Sequence, residues 1–187
     1  MDVTQAIHSR RAVREFTAES LERAVLERLI DAAVQAPSAM DAQPWSFTVV
    51  EDRQLLSRIS NAAKAYLLRT SSQVAPHHLR EILNDPNFDI FYTAPTLIVI
   101  SSATPGQWAV EDCSLAAENM MLAACAEGLG SCWIGFAQAW LGTADGKAIL
   151  GLAPDCLPVA PVIVGHPRAA MKPVPRRPAQ IRWIGRA

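Results

Sequence analysis

The feature that most constrains the fold is an apolar stretch at residues 109–127, which is predicted to form one long helix. At 1.5 Å per residue, such a helix is about 28 Å long. Apolar side chains occur around nearly its whole circumference, which is typical of a helix in a core or against another subunit. Acidic residues interrupt it too often for a membrane-spanning segment. Gly128 and Gly130 end it, so a buried helix leads into a glycine-containing loop near the centre of the molecule.

Length and composition predict one globular domain, residues 1–187. A chain of this size buries roughly 70% of the surface that it exposes when unfolded. Hydrophobic residues make up 50% of the chain and charged residues 19%, which is too apolar for disorder. The net charge of -1 argues against nucleic acid or an anionic membrane as the main partner. The N-terminus has no apolar signal segment, so a cytoplasmic protein is expected.

The four cysteines, Cys113, Cys125, Cys132 and Cys156, show no CxxC pairing and no histidines at ligand spacing. We interpret them as buried thiols in a reducing compartment, and we predict no metal site. A thiol oxidoreductase is disfavoured because the paired spacing that such chemistry uses is missing.

Periodicity predicts an α+β fold with a mixed central β-sheet and helices on both of its faces. A short first helix follows Asp2, with Gln5 at capping-box spacing and with Val3, Ala6 and Ile7 facing inward. Further helices are predicted at residues 21–35, 52–68, 77–83, 109–127 and 142–150, and strands at 46–50, 96–101, 132–136, 159–164 and 181–184. Weak periodicity between residues 70 and 92 predicts a lid or excursion.

Three arginines, Arg10, Arg11 and Arg14, lie within five positions of one another. If this backbone is helical, Arg10 and Arg14 project from the same face. Paired guanidinium groups suit a phosphate because they donate bidentate hydrogen bonds and stay charged. A solvated basic helix end is the simpler interpretation of the segment alone. Arg176 and Arg177 near the other terminus favour the phosphate interpretation, because a dianion needs several donors.

Two further segments are candidates for a site. In the loop at residues 37–45, three polar side chains lie between two prolines, so donors and acceptors are presented with little loss of entropy. An ordinary loop explains that pattern equally well. The glycines at residues 128–135 follow a helix, whereas a dinucleotide fingerprint places them after a strand. Gly135 instead permits the backbone to approach a flat ligand closely.

Together these segments resemble the nitroreductase family of FMN-dependent flavoproteins. HSRRAVREF at residues 8–16 is similar to the family's Ser-Arg-Arg-Ser-Val-Arg-x-Phe opening. PSAMDAQPW at residues 37–45 is similar to its Pro-Ser-x-x-Asn-x-Gln-Pro-Trp loop. FYTAP at residues 91–95 and the stretch at 128–135 are also similar to the family's sequence pattern. The resemblance covers about residues 6–177.

The resemblance implies a nitroreductase-like fold and an intertwined homodimer with two FMN sites at the interface, each formed by both chains. It also implies that the C-terminal tail, residues 167–187, packs on the partner subunit. The residues that it implies for FMN binding are Arg10, Arg11, Ala12, Arg14, Pro37, Ser38, Asp41, Gln43, Trp133, Ile134, Gly135, Arg176 and Arg177.

The resemblance also implies a role for most of these residues. Arg10 and Arg11 are expected near the flavin phosphate, joined by Arg176 or Arg177. Arg14 is expected beside the N1/O2 edge of the flavin ring.

The other contacts to the ring are implied in the same way. Pro37, Ser38 and Gln43 are expected to contact the flavin, partly from the partner subunit. The backbone at Ile134 and Gly135 is expected to face flavin N5.

The implied activity is transfer of hydride from NADH or NADPH through flavin N5 to a nitroaromatic, a quinone or a similar small oxidant, with ping-pong kinetics. No catalytic side chain is implied, because the flavin is the reactive centre. Two alternatives remain open. One is another reaction on the same fold, such as oxidation of a ring or enone or reductive dehalogenation. The other is a non-enzymatic flavin-binding or sensing protein.

Two positions depart from the family pattern. Ala12 stands where the family commonly has serine, which removes a hydroxyl donor to the phosphate. Asp41 stands where asparagine is usual, and a carboxylate there cannot donate to a flavin carbonyl. We therefore expect Asp41 to lower the reduction potential of the flavin.

Overall fold

The computed structural model describes residues 1–70, 77–104, 106–170 and 174–185, and it confirms the predicted α+β fold. The helices are α1 (Val3–Ser9), α2 (Arg23–Val34), α3 (Arg53–Thr70), α4 (His77–Asn84), α5 (Ala109–Ala126), α6 (Gly135–Leu141) and α7 (Ala144–Ile149). The strands are β1 (Trp45–Val50), β2 (Thr96–Ser102), β3 (Gly130–Trp133) and β4 (Leu157–Gly165).

The four strands form one sheet in the order β1-β2-β4-β3, and all neighbouring strands run antiparallel. Parallel pairing enters through an isolated bridge between Ala12 and Ser131, which adds the N-terminal segment beside β3. The two central strands are almost completely buried, which explains their nearly continuous apolar sequences.

Helices cover both faces of the sheet, as predicted. On one face, alternate residues of the central strands, such as Ile98 and Val162, pack with Met120 and other apolar residues of α2 and α5. On the opposite face, Leu97 and Ile163 pack against residues of α3 and α6. The side-chain period of two along a strand produces this division into two core layers.

The long predicted helix is present as α5, and most of its circumference is buried. Trp108, Val110 and Leu115 lie on its outer side, and each is about half exposed. The helix therefore belongs to the core and also exposes three large apolar side chains at its surface. Over the described residues, no helix combines the length and apolarity needed to cross a membrane.

Several local predictions are wrong. Val3 and Ile7 of α1 are exposed, and Ala6 is the buried residue of this seven-residue helix. Residues 181–184 form no strand, because they extend into solvent with no neighbouring strand. The strand predicted at residues 132–136 ends at Trp133 and is followed by α6. The predicted lid falls partly on residues 71–76, which lie outside the described residues.

Candidate functional site

The N-terminal arginines lie on extended backbone beside β3. The capping box of Asp2 and Gln5 begins α1 as predicted, and the helix ends at Ser9. Val13 N then donates to Ser131 O at 3.0 Å. A side chain at Gly130 would lie 2.8 Å from Val13, so the glycine permits this close approach. The helical arrangement considered for the arginines is therefore wrong, because the backbone pairs with the sheet.

The three arginines have different surroundings. Arg10 Nε lies 3.3 Å from a carboxylate oxygen of Glu118 on α5. A terminal nitrogen of Arg11 donates to Arg10 O at 2.6 Å. The Nε atom of Arg11 is buried and has no hydrogen-bond partner within the described part of the chain. The Arg14 guanidinium lies over the Tyr92 ring, 5.8 Å from its centroid.

Two adjoining clefts open beside this segment. The arginine cleft has a volume of about 530 Å³ and is lined by Arg11, Ala12, Val13, Arg14, Glu15, Ala169, Ala170 and Val174. The glycine cleft has a volume of about 250 Å³ and is lined by Arg14, Tyr92, Cys132, Trp133, Ile134, Gly135 and Phe136. Because Arg14 lines both, the two clefts meet at its side chain.

The glycine cleft is formed where β3 gives way to α6. Ile134 N donates to Pro161 O at 2.7 Å, which anchors the turn to the central strand β4. Gly135 is exposed, and an added Cβ there would find no atom within 4 Å. The space beside this glycine is therefore open, and the predicted contact with a flat ligand stays a prediction.

The predicted loop at residues 37–45 has its own network of hydrogen bonds. Ser38 Oγ accepts from Gln43 N at 3.0 Å, and Asp41 Oδ1 accepts from Gln43 Nε2 at 2.7 Å. Asp112 Oδ1, in the first turn of α5, accepts from Ala39 N at 2.9 Å. Asp112 is buried and anchors the loop, whereas the sequence showed it only as an interruption of an apolar helix.

One chain does not bring the two halves of the predicted site together. The loop contacts α5 at Asp112, whereas Arg10 contacts the same helix at Glu118. These two contacts lie six residues apart, or about 9 Å along the helix axis. The residues that line the cleft beside Pro44 are likewise absent from the arginine and glycine clefts.

The tail passes close to the arginine cleft. Val174 lines that cleft, and Arg176 follows two residues later. Arg176 and Arg177 are both exposed. The C-terminal arginines are thus near the cleft along the chain, but the cleft lining itself stops at Val174.

The cysteines are buried free thiols, as predicted. Burial, reinforced by the neighbouring Asp112 carboxylate, raises the pKa of Cys113 to about 12. Burial also raises the pKa of Cys132, against the opposing effect of Arg14. Because the thiolate is the reactive form, these environments disfavour thiol chemistry. Within the described ranges, no three His, Cys, Asp or Glu side chains are grouped to hold a metal ion.

The fold and clefts define an α+β protein with helices on both faces of a four-stranded sheet and an arginine-lined pair of clefts at the β3 edge. The chain belongs to the nitroreductase family, whose sequence profile matches residues 7–166.

Individual relatives agree with this assignment. A putative NADH dehydrogenase/NAD(P)H nitroreductase of Methanothermobacter thermautotrophicus is 29% identical over 126 residues, which cover 65% of this chain and 54% of the relative. The chain thus spans about half the length of that relative. A nitroreductase of Bacteroides fragilis, solved with bound FMN, is 28% identical with a TM-score of 0.86, covering 99% of this chain and 100% of that one. An iodotyrosine deiodinase, solved with FMN and 3-iodo-L-tyrosine, is 25% identical with a TM-score of 0.80. The match covers 97% of this chain and 98% of that one.

Proposed function

We propose that this protein is an FMN-dependent oxidoreductase that transfers hydride from NADH or NADPH to a nitroaromatic, a quinone or a similar small oxidant, with ping-pong kinetics. The observation that carries the proposal is the pair of clefts that meet at Arg14, with the unpartnered Arg11 Nε at the larger one. An elongated ligand with an anionic end and a flat end fits this arrangement.

The arginine cleft suits the phosphate end. A buried N–H donor without a partner costs free energy, and a phosphate oxygen would relieve that cost. Arg10 adds a second guanidinium nearby, and the tail supplies Arg176 and Arg177 beyond Val174. Ala12 offers no hydroxyl, so the guanidinium groups carry the recognition of the anion.

The glycine cleft suits the flat end. FMN, when bound, supplies the hydride chemistry that the side chains of this chain lack. Arg14 places a positive charge at the junction of the clefts, where it would favour an anionic ring. Gly135 leaves the backbone open at the cleft, and the rings of Tyr92 and Phe136 form its wall.

A second copy of the chain completes the site in this proposal. No residue of the loop at residues 37–45 lines the arginine cleft or the glycine cleft of its own chain. Two copies related by a two-fold axis, packed through the exposed side of α5, would bring the loop of one copy to the clefts of the other. The exposed apolar residues Ile181, Trp183 and Ile184 of the tail fit a contact with the same partner.

The absorption spectrum of the purified protein tests the cofactor. We expect flavin bands, with FMN released on heating. Addition of NADH or NADPH without oxygen is expected to bleach those bands within seconds, and a nitroaromatic or quinone is expected to restore them. Bound flavin that neither donor bleaches would favour the flavin-binding or sensing alternative, and a colourless protein that takes up no added FMN would refute the proposal.

The likeness to iodotyrosine deiodinase favours a second candidate on the same fold, reductive dehalogenation. Anaerobic mixing of the reduced protein with an iodinated phenol separates the two candidates. Release of iodide at a rate above that of nitroaromatic reduction would favour the dehalogenase.

Replacing Asp41 with asparagine is expected to raise the flavin reduction potential. The change removes a negative charge from a loop that we place beside the ring, so the anionic reduced flavin is stabilised. One carboxylate oxygen already accepts from Gln43 Nε2, which screens part of the charge, so we expect a rise on the order of 30 mV. A redox titration of both proteins measures the difference. Asp31 lies on the exposed surface away from both clefts, and Asp31→Asn serves as a control that leaves the potential unchanged.

A further inference from the structure

A buried lysine lies behind the glycine cleft. Lys64, in α3, is 6% exposed, and its Nζ donates to Phe88 O at 2.6 Å and to Asp85 O at 3.2 Å. Lysine is rarely buried, because removing its charge from water is costly unless hydrogen bonds compensate. Both acceptors are main-chain carbonyl groups of the segment between α4 and β2. The lysine therefore ties α3 to that segment.

The segment at residues 85–94 needs such restraint. Tyr92 and Thr93 adopt left-handed φ angles of 53° and 57°, which are unfavourable for side chains of this kind. The Asp89 carboxylate accepts from Phe91 N at 3.0 Å and from Thr93 N at 2.9 Å. These bonds stabilise the strained turn from within the segment. Lys64 ties the beginning of the segment, at Asp85 and Phe88, to α3.

The same segment builds the aromatic wall of the glycine cleft. The Phe88 ring meets the Tyr92 ring edge-to-face with centroids 5.8 Å apart, and it meets the Phe136 ring with centroids 6.4 Å apart. Tyr92 in turn lies under the Arg14 guanidinium. Phe88 is thus bonded to Lys64 through its carbonyl and contacts two residues of the cleft lining through its ring.

We propose that Lys64 is a positioning residue for the ring-binding cleft: by holding Phe88, it sets the places of Tyr92 and Phe136 and, through Tyr92, of Arg14. The inference rests on the proposed function, in which the glycine cleft takes the flavin ring. Lys64 itself touches neither cleft, since it is absent from the lining of both. Its loss would remove the Nζ donor from the main-chain carbonyl groups of Asp85 and Phe88 and free the wall to move.

Binding of FMN and riboflavin tests this role, because riboflavin has the ring without the phosphate. Lys64→Met is expected to lower the affinity for both flavins by the same factor, about ten-fold. Arg58→Met removes a cation from the exposed side of the same helix and is expected to leave both affinities unchanged. Unchanged affinity in Lys64→Met, or weakening of FMN alone, would overturn the proposal.

A second variant tests the route through Phe88. Phe88→Leu keeps the carbonyl group that accepts from Lys64 but removes the ring contacts. It is therefore expected to lower the affinity for both flavins, as Lys64→Met does. Both changes act through one contact. The flavin affinity of the double variant is therefore expected to lie within two-fold of that of the single variant that binds less tightly. Effects that multiply would show that Lys64 acts by another route and would overturn the proposal.

Hydrogen exchange in the flavin-free protein separates this inference from the proposed function. In Lys64→Met, amides of residues 87–94 are expected to exchange at least ten-fold faster, while those of β2 and β4 stay protected. Equal acceleration across the sheet would indicate a general loss of stability and overturn the positioning role. If the wild-type protein binds neither flavin, the proposed function fails, and the exchange pattern still decides whether Lys64 holds the segment.

Discussion

Arg11→Met is expected to weaken FMN binding about 30-fold and to leave riboflavin binding within about two-fold of wild type. The buried Nε of Arg11 has no partner among the residues that the structure describes, so its bond to a phosphate oxygen would be formed only with the phosphorylated flavin. A hydrogen bond between charged groups contributes about 1.5–3 kcal/mol, and each 1.4 kcal/mol changes affinity about ten-fold. Fluorescence titration of the flavin-free protein with each flavin measures the two affinities.

Two further variants make this result specific. Arg11→Lys keeps the charge but lacks the planar fork of donors, so its affinity for FMN is expected to lie between those of wild type and Arg11→Met. Arg58→Met, on the exposed side of α3, is expected to change neither affinity. Equal weakening of FMN and riboflavin by Arg11→Met would show that the arginine supports the fold of the N-terminal segment, through its bond to Arg10 O, and does not bind the phosphate.

Local sequence signals predicted most of the fold. The capping box at Asp2, the continuous apolar run of β2 and the all-round apolar pattern of α5 each depend on residues close together in the chain. Helix α6 was missed although Ala137, Trp140 and Leu141 are spaced as one buried helical face. At seven residues, the helix is too short for that spacing to outweigh the strand-like residues before it.

Long-range contacts account for the other misses. The segment after α1 is extended because Val13 pairs with Ser131, more than a hundred residues away, and no local pattern reports such a bridge. Asp112 is buried because it accepts from Ala39 N, and Lys64 because it reaches two carbonyl groups beyond α4. Polar side chains used in this way look like surface residues in the sequence.

For the candidate site, too, local patterns could be read from the sequence and long-range contacts could not. Its motifs were recognisable because the arginines, the loop and the glycine each form a short pattern in the chain. Their separation within one chain could not be recognised, since it depends on which turn of α5 each segment contacts. That separation gives the dimer proposal its sharpest consequence.

Two variants that each bind FMN weakly are expected to recover part of the tight FMN binding when their subunits are mixed. In the proposed dimer, each site takes the arginine segment of one chain and the loop of the other. Arg11→Met damages the first, and the double variant Ser38→Ala/Gln43→Ala damages the second. A mixed dimer then has one site with both lesions and one intact site. After random reassociation, half of the dimers are mixed, so about a quarter of all sites are intact.

The control is a mixture of Arg11→Met with Arg14→Met, two variants of the same segment. Every site in that mixture contains a damaged arginine segment, whichever chains associate, so no recovery is expected. The variants are unfolded together, refolded and titrated with FMN at a concentration that only intact sites bind. A site contained within a single chain would give no recovery in either mixture, because every chain carries a lesion, and that result would remove the shared site from the proposed function.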